Sequence, residues 1–440
     1  MRVGIFALLC LVCAVSLSSA EMDPLRRAAS LGAAFRAPSF SVPGAEVRSV
    51  EPGSAVAGAG LMAGDRVLKI NGILLNNPAI YQDVLLSLRG GETVSLEVER
   101  GGKLRTVNFI PAFLPPERIE GVEVLYDSVL TNRGHRLRSI VTRPAGAGAK
   151  RLPAILLVSW LSCSSVETPV GPLDGSGHLL HGLARKSGFV LMRVDKSGVG
   201  DSEGPPCSQL DFETELDGLR SALRDLKKYA FVDPDRIFLL GLSNGGGFAP
   251  LVAEKEKVRG YIVSGGWCKT WLEHMLEIER RALVLSGKKP GEVNAAMAGY
   301  AELYTQYLIH KKTPLEVIRA NPKLKGLWQD WPEHQYGRPA AFYQQLQDLN
   351  IAAAWEGVDV PVLSVYGGYD WIMSRDDHEK IAEIVNTNHP GLARFVEIPR
   401  MDHGWTIQEN MQGSFNNFGG GAWDESVLTL MIDWLKKAGA

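Results

Sequence analysis

The sequence predicts an α/β protein built as two modules: a small, mainly β unit, then a mostly parallel sheet with helices on both faces. Three observations carry this expectation. From Val122 onward, short apolar runs alternate with stretches of helical spacing, the pattern of repeated strand-helix units. Ahead of them, residues 28–112 hold strand-like runs joined by glycine-rich turns. Finally, the apolar run Ile237 to Leu240 passes directly into Gly241-Leu242-Ser243-Asn244-Gly245, of the form G-x-S-x-G, in which a strand bends sharply into a helix and presents a serine hydroxyl.

The chain opens with Arg2, an apolar run from Val3 to Val15, and small residues at Ser18 and Ala20. That is the grammar of a cleaved secretory leader, so residues 1–20 are expected to be removed and the protein exported, to a periplasm or the medium. No later stretch approaches the roughly 20 apolar residues of a spanning helix, so no stable membrane insertion is expected. Lysine and arginine total 47 against 49 aspartate and glutamate, which disfavours nucleic acid as a partner. Hydrophobic residues make up 45% of the chain, enough for sizeable cores.

Of five cysteines, Cys10 and Cys13 leave with the leader. Cys163 and Cys207 each fall in a loop soon after a predicted strand of one sheet and are expected to pair in an oxidising compartment. Three separate buried thiols, Cys268 included, are the other reading. The nine histidines are scattered, and His178 and His181 share a helical run without further ligands. Neither a metal nor a cofactor is expected.

In the first module, Ala45–Val50 and Arg66–Ile70 read as strands, Asn71-Gly72 as a tight turn, Ala79–Leu88 as a helix and Thr93–Glu99 with Leu104–Phe109 as a hairpin around Gly101-Gly102. The stretch from Val50 through Pro52-Gly53-Ser54, Ala59-Gly60-Leu61 and Gly64-Asp65 to Asn71-Gly72 resembles the bacterial type of PDZ domain over residues 28–112. Such domains bind an extended peptide at a sheet edge and hold its terminal carboxylate in a loop of amides. The resemblance places that loop at Leu31, Gly32 and Ala33, within Leu31–Phe35. A peptide or protein C-terminus is the partner this implies. A module that only packs against its neighbour is the alternative.

In the second module, Val122–Thr131 and Leu137–Thr142 read as a hairpin turned at Asn132–Gly134, followed by strands Pro153–Trp160, Gly188–Asp195, Ile237–Leu240 and Gly260–Ser264. Phe212, Leu216, Leu219, Leu223 and Leu226 recur at helical steps between them. From Trp267 to Glu356 the pattern is helical, with strand signals absent; residues 267–356 are expected to be a lid over the strand ends where ligands bind. Trp267, Trp271, Trp328 and Trp331 either line an acyl pocket or fill that insertion's own core. Alternation resumes at Val360–Tyr366 and closes with the strand Phe395–Ile398 and the helix Glu425–Lys437.

Together with the serine elbow, Asp195-Lys196-Ser197-Gly198-Val199-Gly200-Asp201-Ser202 is similar to the D-x-R-G-x-G-x-S loop of the α/β-hydrolase superfamily, and the resemblance covers residues 117–440. Gly198, Gly200 and Gly204 lack the spacing of a dinucleotide fingerprint. A serine hydroxyl needs a base and a group to orient that base, which this fold supplies in the order Ser, Asp or Glu, His. Asp370, just past the strand ending at Tyr366, is the expected acid. Asp376 and Asp377 are its rivals, but they suit the positive end of the helix they begin. His403, between the last strand and the closing helix, is the expected base. The oxyanion donors are expected to be the amides of Asn244 and, in place of the glycine-bearing loop of related enzymes, Leu161 after Ser159-Trp160. The resemblance implies a serine hydrolase forming an acyl-enzyme from an ester. A peptidase of the same fold and a silent PDZ-based binding protein are the alternatives.

Overall fold

The computed structural model describes residues 24–39, 42–168, 171–331 and 333–439. The expected leader, Met1 to Ala20, lies outside them.

The second module is built on eight strands: β1 (Val122–Leu130), β2 (Arg136–Pro144), β3 (Leu152–Val158), β4 (Val190–Val194), β5 (Val232–Leu242), β6 (Gly260–Ser264), β7 (Val362–Gly367) and β8 (Ala393–Ile398). They lie in the order β8-β7-β6-β5-β3-β4-β2-β1. Strand β2 is antiparallel to both β1 and β4, and all the others run parallel. Every residue of β4 and β6 is buried, which is why these strands read as unbroken apolar runs rather than alternating ones. The chain leaves β3 for β4 on one side and returns to β5 on the other. The carboxyl ends of β3 and β5 therefore flank a topological switch point, where open α/β sheets bind ligands.

Helices Gly175–Lys186 and Glu425–Ala438 cover one face, with Leu179, Leu183, Leu428 and Met431 against the sheet. Helices Phe212–Leu226 and Asn244–Val252 cover the other. The long insertion is helical as expected, with Trp271–Leu285, Pro290–Tyr304, Pro314–Ala320, Ala340–Gln347 and Ile351–Glu356. Thr270 with Glu273, and Thr313 with Glu316, form reciprocal capping boxes that start two of these helices. It also holds a short hairpin, His334–Gln335 with Arg338–Pro339, that the sequence pattern did not suggest. Tyr336 and Gly337 turn it at φ 48° and 74°.

In the first module, strands Ala33–Arg36, Ala45–Val50, Arg66–Ile70, Val94–Arg100 and Lys103–Phe109 form one sheet in that order. Helix Pro78–Ser87 closes over Val47, Val67, Ile70, Leu96 and Val98. Leu31 and Gly32 form the turn ahead of the edge strand. Ala33 is that strand's first residue, opposite Val50, so the expected amide loop is shorter than Leu31–Phe35.

Among the described residues, ion pairs, hydrogen bonds and apolar packing join the modules. The Arg27 guanidinium donates to both carboxylate oxygens of Glu167, at 2.8 and 2.5 Å, and to Asp201 at 3.1 Å. The Ala28 amide donates to the other Asp201 oxygen at 2.8 Å. Asp83, on helix Pro78–Ser87, accepts the Ser208 hydroxyl, and Leu86 packs on Cys163, Val199 and Cys207. Cys163 and Cys207 are joined by a disulfide, and Cys268 is a buried free thiol. Among the described residues no helix is long and apolar enough to cross a membrane.

Candidate active site

The serine elbow follows from glycines that the packing leaves no choice about. Ser243 has φ 55° and ψ −128°, a conformation costly for any residue with a side chain and held here by its surroundings. A Cβ on Gly245 would lie 1.9 Å from the Val158 carbonyl oxygen, and one on Gly241 would lie 2.6 Å from that of Gly245. The elbow therefore presses directly against the end of β3. The Ser243 amide donates to Ser264 O at 2.9 Å, which ties the turn to β6.

Asp370 sits in the turn after β7. One of its oxygens accepts the amides of Ile372 and Met373, both at 2.9 Å, leaving the other to meet His403. His403 Nδ1 lies 2.7 Å from that oxygen, and Nε2 lies 2.9 Å from Ser243 Oγ. The structure thus brings the three side chains, 127 and 33 residues apart in sequence, into one hydrogen-bonded chain. With Nδ1–H donated to the carboxylate, Nε2 is the lone-pair side and can take the hydroxyl proton. Burial alone would raise the Asp370 carboxyl. The charge of His403 and its hydrogen bond, with the Met373 amide, outweigh burial and hold Asp370 below its usual value. Burial disfavours charge on the His403 ring in turn, and the Asp370 carboxylate overcomes it, so His403 titrates above its ordinary 6.5.

The rivals Asp376 and Asp377 do other work. Asp376 pairs with Lys269 at 2.9 Å. Asp377 is buried, accepts the amides of Cys268 and Lys269 at 3.0 and 3.3 Å, and so ties helix Arg375–Asn388 to the start of the insertion.

Two supports escaped the sequence reading. Asp402 accepts the amides of Gly404, Thr406 and Gly419 at 3.0, 2.8 and 2.9 Å, which folds the histidine loop around a single buried carboxylate. Its position beside His403 was the one available signal, and adjacency does not distinguish a brace from a spectator. His378 accepts the Gly266 amide on Nε2 at 2.9 Å while Nδ1 donates to Ser374 O at 2.8 Å. It holds the Gly265-Gly266 turn, where a Cβ on Gly265 would lie 2.8 Å from the His403 ring.

Above Ser243 lies a cavity of about 600 Å³, walled by residues 160–168 and 172–180 and by Ser243, His403, Trp405, Phe418 and Gly419. Leu161 lines it, and among the described residues no acceptor takes the Leu161 or Asn244 amide hydrogen. Among the described residues the insertion, expected as a lid over the strand ends, lines none of this wall. Its apolar surface is used elsewhere: Trp267 and Trp271 are fully buried against Phe248 and Tyr343, and Trp328 packs on Tyr304 and Tyr307. It reaches the site through Arg281, which donates to Trp371 O and Ile372 O at 2.8 and 2.6 Å, behind Asp370. Phe418 stands at the rim instead, its ring 6.0 Å from that of His403. A polarised serine beside an imidazole, two available amides and a cavity of ligand size together permit acyl transfer.

Comparison with known proteins agrees with this architecture. Residues 22–110 match the PDZ domain family, and residues 176–405, more than half of the chain, match the family described as serine aminopeptidase, S33. Esterase EstD of Thermotoga maritima is 23% identical over 309 residues, which cover 68% of this chain and 66% of that esterase. Among solved structures, EstE1, a thermostable carboxylesterase from a metagenomic library, is 19% identical with a TM-score of 0.43, over 74% of this chain and 92% of its own. A DcsB complex with its substrate analogue is 16% identical with a TM-score of 0.46, over 72% and 100%. With the serine elbow at the switch point of its sheet and a family match over most of the module that carries it, the chain belongs to the S33 family of α/β-hydrolases and carries an N-terminal PDZ domain.

Proposed function

We propose that this protein is an exported serine hydrolase that cleaves carboxylic esters through an acyl-enzyme, with Ser243 as nucleophile, His403 as base and Asp370 as its orienting acid. The observation that carries this reading is the continuous pair of hydrogen bonds from Asp370 through His403 to Ser243 Oγ. Ser243 Oγ bonds to the substrate carbonyl carbon while its proton passes to His403 Nε2. The carbonyl π pair moves to oxygen and is held by the Asn244 and Leu161 amides. The C–O bond to the alcohol then breaks as His403 returns the proton to the leaving oxygen. Water repeats the sequence on the acyl-enzyme and frees the acid. No cofactor enters. The leader-like start of the chain and the Cys163–Cys207 bridge both support an oxidising, exported setting.

The PDZ module and the family's description favour a second reading, hydrolysis of peptide or aminoacyl amides, in which the module delivers a peptide end. The cavity suits the first reading better: its wall mixes apolar groups (Trp160, Leu161, Leu173, Phe418) with serine hydroxyls, and Glu167, its carboxylate nearest the PDZ module, is already paired with Arg27. The other carboxylate of the wall, Asp174, caps helix Gly175–Lys186 by accepting the Gly177 amide. Assaying the full chain on short-chain nitrophenyl esters and on aminoacyl and peptidyl nitroanilides separates the two. Turnover of the esters at least tenfold above the amides is expected, and turnover of the amides alone would remove the ester reading.

A further inference from the structure

Lys196 is an expensive residue for its position. It follows β4, its side chain is only 4% exposed, and burial, with Arg338 close by, pushes its ammonium down to about 7. Its nearest carboxylate, Glu215, lies 3.9 Å away and is already paired with Arg338 of the insertion hairpin. What Lys196 does reach is the chain leaving β3: Nζ donates to Ser159 Oγ at 3.0 Å and to the Trp160 carbonyl oxygen at 2.7 Å.

That carbonyl belongs to the same peptide unit as the Leu161 amide. A peptide is planar and almost always trans, so its C=O and N–H point in opposite directions and cannot turn independently. Whatever fixes the Trp160 oxygen also fixes where the Leu161 hydrogen points. Given acyl transfer at Ser243 with Leu161 as second donor, on which this role rests, we propose that Lys196 is a positioning residue of the oxyanion hole: its grip on the Trp160 oxygen aims the Leu161 N–H at the substrate carbonyl.

Further contacts fit that role. Asp195, the preceding residue, accepts the Val166 amide at 2.7 Å and the Ser165 hydroxyl at 2.9 Å. Consecutive side chains thus clamp both ends of the segment 160–166, and the Cys163–Cys207 disulfide pins its middle. At the other end, the elbow packs on Val158 and Ser159, so the Asn244 amide and the Leu161 peptide are set against one backbone. A donor on the Trp160 oxygen also polarises the peptide and strengthens Leu161 N–H as a donor.

The test uses the full chain carrying Lys196→Met, which keeps the bulk and removes the donor, and Lys196→Gln, whose amide ends one bond short of the Trp160 oxygen. Either variant that keeps the parent's melting temperature serves. The readouts are kcat and KM on a short-chain nitrophenyl ester and the inhibition constant of a trifluoromethyl ketone. Serine adds to that ketone's carbonyl carbon, the π pair moves to oxygen, and the resulting oxyanion needs the same amides. Removing an oxyanion donor lowers kcat by about 10²–10³-fold, and a misaimed Leu161 amide is expected to lower it by about a hundredfold, with KM little changed and ketone affinity falling in parallel. Parent-like kcat and ketone affinity in a folded variant would overturn the role of Lys196 while leaving the nucleophile in place, as a Ser243→Ala control with no turnover would show. A fall in which KM rises as much as kcat drops, with ketone affinity unaffected, would equally overturn it.

Discussion

Replacing His403 with alanine is expected to lower kcat on a short-chain ester by about six orders of magnitude, the loss seen when the base of a serine triad is removed. The magnitude follows from the geometry: among the described residues no other imidazole or carboxylate lies within hydrogen-bond reach of Ser243 Oγ, so nothing substitutes for Nε2. The fold should survive. The loop bearing the ring is organised by Asp402 through the amides of Gly404, Thr406 and Gly419, and none of these contacts involves the imidazole. Circular dichroism and melting temperature should therefore match the parent while turnover disappears. A variant within tenfold of the parent rate would mean that the base is elsewhere.

Asp370→Asn has the second largest expected effect, about 10⁴-fold in kcat. The substitution is nearly isosteric, and one side-chain oxygen can still accept the Ile372 and Met373 amides. The group facing His403 Nδ1 then becomes an NH₂ donor. It can be satisfied only if Nδ1 accepts, which moves the ring proton to Nε2, the atom that must receive the serine proton. The same variant reports on the electrostatics. In the parent, the Asp370 carboxylate raises the histidine above 6.5, so kcat/KM should fall as pH drops through a midpoint above that value, where the base becomes protonated. Without the carboxylate the charged ring loses its main support, and the residual activity should show its acid limb at lower pH. A limb at the same pH in both proteins would contradict the ion pair.

How much of this was legible before the fold was known depended on range. The elbow was readable because a buried strand, a serine and its flanking glycines are contiguous, and the strain at Ser243 is a local property of five residues. Asp370 and His403 could be placed because each follows an apolar run that can only be a core strand of a parallel sheet, and chain order narrows the choice. The supports were hidden because they act across the sequence. Lys196 touches Trp160 from 36 residues away and His378 touches Gly266 from 112, and nothing local to a buried lysine or histidine announces its partner.

The packing of the insertion was hard to read for a related reason. Its tryptophans signal burial without saying against what. The insertion packs on the helices Phe212–Leu226 and Asn244–Val252, and residues within 160–168 and 172–180, with Phe418 and Gly419, wall the cavity beside the triad. The clamp of Arg27 on Glu167 and Asp201 was equally out of reach, since it joins the two modules across 140 and 174 residues.

The most direct test of the account is covalent labelling of the full chain with a fluorophosphonate, followed by mass spectrometry of the digested adduct. Stoichiometric modification of Ser243, abolished by Ser243→Ala and slowed by several orders of magnitude in His403→Ala, is the predicted result. A parent protein that stays unlabelled, or an adduct on any other side chain, would contradict it.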